Sequence, residues 1–419
     1  MTNKATTSIR RRRLPSLLWA AVALTATCTY NTQAVTAFTT HESFTVPSSS
    51  SSSSSSYTSL IDSYDAFILD QFGVMHNGKH PLEGAKELID LMIAQKKKLI
   101  ILSNTSSPSK TTLQRLGNLG FNSNDHFLDA ITSGEEAINY INTIYGCNGS
   151  GKSIESKNGS NDIKKKKKFI WFTWDPLNEN VPNPMYFISQ LDENLEPTTN
   201  IDEADFIVAH GVGVIRDCSN NNDSDNNNNS VSIGNFLNDD TDWLKIDELL
   251  YECSKRNLPL ICANPDMVVK YHDNTIKNMP GQIAQRYITK FHMNNDQKTI
   301  IFGKPNKEHF QACVDVIYQN QQQEQQSNSH ENEQHQQSLP RLRIAHVGDS
   351  MSHDIAGANS VDGIDSIFII GGIHSDELLT LSNGQQQQQQ QQLPSDKQLK
   401  EFFEQKGHTP THVVPMFQI

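Results

Sequence analysis

Short apolar runs alternate along this chain with segments whose apolar positions recur at helical spacing. Ala66-Phe67-Ile68-Leu69 is one such run, closed by Asp70, and its unbroken apolar character predicts a strand of a parallel sheet covered on both faces. Gly84 to Lys98 places Ala85, Leu88, Ile89, Met92 and Ile93 on one helical face. Leu99 to Leu102 predicts a second strand, ending in Ser103-Asn104-Thr105, and a helix starts at Pro108-Ser109 and stops at Gly120. This strand–helix alternation predicts a layered α/β domain around a parallel sheet. From Ile131 a second α/β unit is expected. It has a helix capped by Ser133 and running through Tyr145, strands at Phe169 to Trp174 and Asp205 to Ala209, and an amphipathic helix over Trp243 to Arg256. A strand at Leu258 to Cys262 then closes on Asn264-Pro265-Asp266. The first unit is expected to resume at Thr299 to Pro305, followed by a helix and by strands at Arg343 to Val347 and Ser366 to Ile370.

Between these elements lie stretches without periodicity. Cys147 to Lys168, Asp217 to Asp240, Gln319 to Ser338 and Gly384 to Gln392 are rich in Asn, Gln, Ser or Lys. Such composition buries too little apolar area to offset the entropy of ordering, so disordered surface insertions are expected there. They also account for much of the low mean hydropathy, −0.54, of a chain long enough to hold two domains of ordinary size. The six cysteines form no C-x-x-C pair and no metal-ligand spacing, which predicts a reducing working compartment. A formal charge of −12 argues against a general nucleic-acid binder.

The N-terminus reads as a targeting segment. Arg10 to Arg13 precede an apolar core, Leu14 to Ala26, too short to span a membrane comfortably, and Val35-Thr36-Ala37 offers a small-residue cleavage site before Phe38. A Ser/Thr-rich stretch almost without acids follows, ending in the serine run at Ser56. Signal peptide, phenylalanine and hydroxyl-rich segment together resemble the two-part presequence of secondary plastids, with AVTAF at 34–38 similar to its cleavage motif. Plastid delivery is the expectation and secretion the alternative, with no membrane association of the mature chain. Loss of residues 1–37 takes the charge from −12 to about −17, since that segment holds five cations and no acid.

Gly146 to Ser153 fits the phosphate-binding pattern G-x-x-x-x-G-K-S letter for letter. That loop works only between a strand and a helix N-terminus, where main-chain amides converge on phosphate. Here a helical segment precedes it and a Gly/Ser/Lys-rich stretch follows, so nucleotide hydrolysis is not expected at this site.

Four other clusters close apolar runs: Asp70; Ser103-Asn104; Gly303-Lys304-Pro305; and Gly348-Asp349 with Asp354. If all four face one end of one sheet, carboxylates, a hydroxyl and a cation surround one point. Clustered oxygen ligands suit Mg²⁺, and lysine with serine suits the charge of a phosphoryl group. In this order the motifs resemble the haloacid dehalogenase superfamily. Gly-Lys-Pro, after an α/β unit inserted between the second and third motifs, is similar to the subclass with a large α/β cap that includes nitrophenylphosphate and sugar-phosphate phosphatases.

The resemblance implies an α/β fold: a Rossmann-like core with a parallel sheet plus an inserted α/β cap. The expected organisation is a signal peptide over 1–37, a transit-like segment over 38–60, the first part of the core over 61–125, the cap over 126–296 and the rest of the core over 297–419. The resemblance further implies that Asp70 is the nucleophile of an aspartyl-phosphate intermediate and that Ser103 and Lys304 bind the phosphoryl group. Mg²⁺ would be held by Asp70, the main-chain carbonyl of Phe72 and Asp349, with Asp354 in support. Asn104 and Gly303 would shape the pocket, and Asn264 and Asp266 of the cap would help select a small phosphorylated metabolite. Homo-oligomerisation through the cap is a further expectation.

Phe72 departs from the pattern. The phosphatases of the superfamily carry a second aspartate there, which protonates the leaving oxygen and later activates water. General acid–base help of that kind is worth roughly two to four orders of magnitude. A hypothetical family of the capped subclass, with an aromatic residue at this position and Gly-Val-x-His-x-Gly after it, resembles Gly73 to Gly78 most. The expected function is a Mg²⁺-dependent phosphatase with an atypical or missing general acid. The alternatives are a hydrolase of another bond and an impaired binding or regulatory protein. His76 is the nearest replacement acid, and packing or capping of its loop is the other reading of that residue.

Overall fold

The described residues of the computed structural model are 59–146, 166–178, 181–216, 230–233, 240–273, 275–294, 298–328, 340–382 and 393–418. Residues 1–37, nearly all of 38–60, most of the Lys-rich and Asn-rich insertions and the glutamine run at 385–392 lie outside them.

The chain opens with three parallel strands, β1 (Ala66–Leu69), β2 (Lys98–Ser103) and β3 (Ala130–Thr132), joined through helices α1 (Ala85–Ala94) and α2 (Ser109–Asn118). Next comes the cap. After helix α3 (Ser133–Tyr145) it contains strands β4 (Lys167–Thr173), β5 (Leu195–Pro197), β6 (Phe206–Ala209), β7 (Val214–Arg216) and β8 (Ser230–Ser232). Helix α4 (Asp240–Lys255) leads to β9 (Leu260–Cys262), the hairpin β10 (Val268–Lys270) and β11 (Ile276–Asn278), helix α5 (Gly281–Phe291) and β12 (Thr299–Ile301). The core resumes with helix α6 (Lys307–Asn328), β13 (Ile344–Gly348), β14 (Ile364–Ile369), helix α7 (Asp396–Lys406) and β15 (His412–Val414).

The core sheet runs β15-β14-β13-β1-β2-β3 and is parallel throughout, with β1 between β13 and β2. Alternation along β1 explains its place. Phe67 and Leu69 enter one apolar cluster, Ala66 and Ile68 a different one, so the strand is buried on both sides. The cap sheet runs β12-β9-β6-β4-β7-β8 with β5 also beside β4, and its centre repeats the device. Phe169 and Trp171 of β4 feed one cluster, Ile170 and Phe172 another.

Two expected boundaries move. β3 pairs with β2, Leu102 against Ile131, so the core continues past 125 as far as Thr132. β12 pairs with β9, Ile300 against Ile261, so the run before Gly303-Lys304-Pro305 belongs to the cap sheet and the cap extends past 296 to the end of that strand. A three-residue apolar run suits the edge of either sheet, and only the pairing partner decides. Two insertion edges also carry structure. Lys167 and Lys168 open β4, and α6 continues to Asn328, through much of the tract expected to be disordered from Gln319. Glutamine is a good helix former, and Lys98 Nζ reaches Asn320 Oδ1 and Glu324 Oε2, both at 2.6 Å, which fastens that part of α6 to β2.

Candidate active site

Asp70 follows β1, Ser103 ends β2, and Asp349 follows β13, three neighbouring strands whose carboxyl ends meet on one edge of the core sheet. Lys304 arrives from the other side, on the segment leaving β12. Its Nζ lies 2.6 Å from Asp70 Oδ1 and 2.7 Å from Asp354 Oδ1, and all three side chains are buried. Carboxylate oxygens of Asp70, Asp349 and Asp354 lie within 4.8 Å of one another. The packing leaves no room for larger neighbours. At Gly73, where φ is +81°, a Cβ would sit 2.0 Å from Asp349 Oδ2.

The three carboxylates are not equivalent. Asp354 Oδ1 accepts from Lys304 Nζ and faces His346 Nε2 at 2.9 Å, while its Oδ2 accepts from the Ser350 amide at 3.0 Å. Burial alone would raise its pKa, but Lys304 and His346 outweigh that and hold it well below the usual carboxylate range. Asp354 is therefore an ionised partner of Lys304 whose oxygens are already engaged. Asp349 accepts one bond, from the Ile373 amide at 2.8 Å. Burial, then the charges of Asp70 and Asp354, push Asp349 well up; burial pushes Asp70 up too, against the pull of Lys304. One ammonium faces three buried carboxylates, and burial, with the charge of neighbouring carboxylates, raises two of them. Oxygen donors short of a cation are what a hard divalent ion requires, so Asp70 and Asp349 fit Mg²⁺ as ligands, with Asp354 behind them.

A cleft of about 900 Å³ opens over this group. Its walls include Asp70, Phe72, Ser103, Asn104, Asp266, Lys304, Asp349 and Asp354, so eight expected site residues come together. Asn264 does not line it; its Oδ1 accepts from the Asp266 amide at 3.0 Å, which shapes the turn after β9. Asn104 and Asp266 act partly on protein rather than on substrate. Asn104 Oδ1 accepts from the Lys304 amide at 2.7 Å, and its Nδ2 donates to Asp266 Oδ1 at 2.8 Å. Asp266 also faces His353 Nδ1 at 3.3 Å, so this cap carboxylate is gripped by two core side chains. Lys270, on the hairpin, adds contacts to Ser375 Oγ at 3.1 Å and Asp376 Oδ2 at 2.9 Å.

Phe72 stands in the cleft wall with its ring edge-on to His76, centroids 5.7 Å apart. His76 is not in the wall. It is buried, its Nδ1 accepts from the Gly78 amide at 3.0 Å, and burial, with Arg115 nearby, pushes it down to about 3. A neutral imidazole capping its own loop supplies no proton to a leaving group, so His76 is the loop cap and not the replacement acid. Sequence reasoning missed His346 and His353. A histidine inside the apolar run of β13 was a legible signal for the first; the second sits in the spacer between Asp349 and Asp354, which carries none.

A capped parallel-sheet core with three clustered buried carboxylates and a buried lysine at one edge fits a hydrolase. A family profile described as haloacid dehalogenase-like hydrolase matches residues 67–158, and a second, HAD-hydrolase-like, matches 301–394, the two segments that flank most of the cap. Both matches support a hydrolase of the haloacid dehalogenase superfamily. Among solved structures it is similar in fold to a haloacid dehalogenase-like hydrolase from Brucella suis, at 21% identity and a TM-score of 0.52, over 76% of this chain and 89% of that one. It is also similar to a "possible sugar phosphatase" from Cytophaga hutchinsonii, at 18% identity and 0.53, over 87% of this chain and 97% of that one. No curated protein matches the sequence.

Proposed function

We propose that this chain is a phosphatase acting on a small phosphorylated metabolite with a good leaving group. The observation that carries the reading is the pairing of buried Asp70 with buried Lys304 beside Asp349, in a cleft whose wall at position 72 is a phenylalanine. Asp70 attacks phosphorus as its carboxylate, the bond to the leaving oxygen breaks, and that oxygen keeps the electron pair. Water then attacks phosphorus, and Asp70 leaves as carboxylate with release of phosphate. Lys304 and Ser103 bear on the phosphoryl oxygens, and Asp354 keeps Lys304 charged and in place. Asp70 and Asp349 would hold Mg²⁺, which supplies electrophilic stabilisation of the phosphoryl charge when bound. No side chain on the Phe72 loop protonates the leaving oxygen, so oxygens that leave as stable anions, aryl and acyl, are favoured over alkyl.

The test is a series of phosphate esters of graded leaving-group pKa, with Mg²⁺ and after chelation. The expected result is a steep fall in kcat/KM as that pKa rises, loss of turnover in Asp70→Asn, and roughly 10²-fold or greater improvement on alkyl phosphates in Phe72→Asp. A flat profile overturns the assignment of Phe72.

A further inference from the structure

We propose that His309, oriented by Glu136, is the positioning residue that holds Lys304 in register through the main-chain amide of Gly303. The lysine must present its ammonium between Asp70 and Asp354 from a segment that has just left the cap sheet. The residue before it cannot stiffen that segment. Gly303 has φ of +113°, and a Cβ there would fall 2.5 Å from Asn104 Oδ1 and 2.7 Å from Pro265 Cγ, so the position accepts only glycine. Its conformation has to be imposed from outside.

Two consecutive amides are gripped by side chains. Lys304 N donates to Asn104 Oδ1 at 2.7 Å, and Gly303 N donates to His309 Nε2 at 2.7 Å. An imidazole nitrogen that accepts from an amide carries no proton, so the ring proton of neutral His309 is on Nδ1. Nδ1 lies against Glu136 Oε2, the partner that fixes this tautomer. His309 is buried near the start of α6, with Phe302 edge-on to its ring at 6.3 Å, and Glu136 projects from the first turn of α3. Entry into the cap and exit from it are thus joined through one imidazole, one bond away from the phosphate-binding lysine. The mechanism described above uses neither residue.

The readouts are kcat and KM on an aryl phosphate, exchange of the Gly303 amide proton in the full-length protein labelled with [¹⁵N]glycine, and the thermal midpoint. His309→Gln places an amide oxygen near the former Nε2 and retains an acceptor for Gly303; His309→Asn is too short to reach it. The kinetic arm rests on the phosphatase reading, and the exchange arm does not. The expected result for His309→Asn is a kcat lower by roughly 10- to 100-fold, KM little changed, and faster Gly303 exchange. His309→Gln recovers most of kcat and of the protection, at a similar midpoint. Equal losses in both variants, tracking the midpoint, assign His309 to packing and overturn the proposal, as does unchanged Gly303 exchange in His309→Asn. If the parent turns over no phosphate, the phosphatase reading fails, and the exchange pattern alone decides whether His309 holds Gly303.

Discussion

The core sheet is parallel throughout, whereas the cap sheet is parallel at its centre and turns antiparallel at β7 and β8. Both bury their central strands on two faces, yet they contribute different charges to the cleft. Parallel strands end on one edge, so β1, β2 and β13 bring Asp70, Ser103 and Asp349 together through pairing alone. The strands of the cap that border the core, β9 and β12, deliver Asp266 and the Lys304 segment, and these are held by side chains from the other layer. The core sheet therefore supplies most of the negative charge and the cap sheet delivers the cation. Side chains of both layers are therefore needed to complete the wall of the cleft.

Lys304→Met breaks this division most severely. Asp70 and Asp354 then lose their common buried cation, for which a loss of about 3–5 kcal/mol in stability is expected, together with loss of turnover. Urea denaturation and steady-state kinetics measure the two effects; a variant as stable as the parent contradicts the shared-cation account.

Acidification compares the layers directly, because each buries a neutral histidine. Burial pushes His210 of the cap and His76 of the core down to about 3, from an ordinary 6.5. The unfolded chain takes up protons that the folded chain refuses. The contribution of these two histidines is therefore complete above pH 6.5 and falls as the pH drops from there towards 3, by about 2 kcal/mol per histidine at pH 5. Trp171, Trp174 and Trp243 all lie in the cap, so their fluorescence follows that layer while circular dichroism follows both. His210→Gln should flatten the acid response of the fluorescence, and an unchanged slope counts against a buried neutral His210.

Asp266→Ala gives the mildest effect, since its carboxylate is partly exposed. Loss of the Asn104 and His353 contacts is expected to cost about 1 kcal/mol and to raise hydrogen exchange around 264–266, with the core strands unaffected. Equal exchange in variant and parent separates Asp266 from the fastening of the two layers.

Much of this was legible in the sequence, because it is local. The apolar run at 66–69 ends in its aspartate, and Ser103 and Asp349 also close apolar runs. Motif order carried the rest of the candidate site. The assignment of Thr299–Ile301 to the cap sheet was not legible, since its pairing with Leu260–Cys262 spans a helix and a hairpin. Nor could composition distinguish the glutamines of 319–328, which continue a helix tied to Lys98, from a free tract. Asn264 shows the same limit from the other side: Asn-Pro-Asp looks like one polar unit, yet only its third residue faces the cleft. Side-chain direction after a turn depends on what the turn packs against.

The two ends of the cap, after Thr132 and before Gly303, meet through Glu136 and His309. Ser133 Oγ, within 3.0 Å of both Thr105 O and Ala263 O, pins the same junction. An insertion whose ends lie side by side can be lengthened, replaced or recombined without moving the strands that flank it. Gly303 and Lys304 follow β12 closely, so an exchanged cap that kept this joint would keep the approach of Lys304 to Asp70.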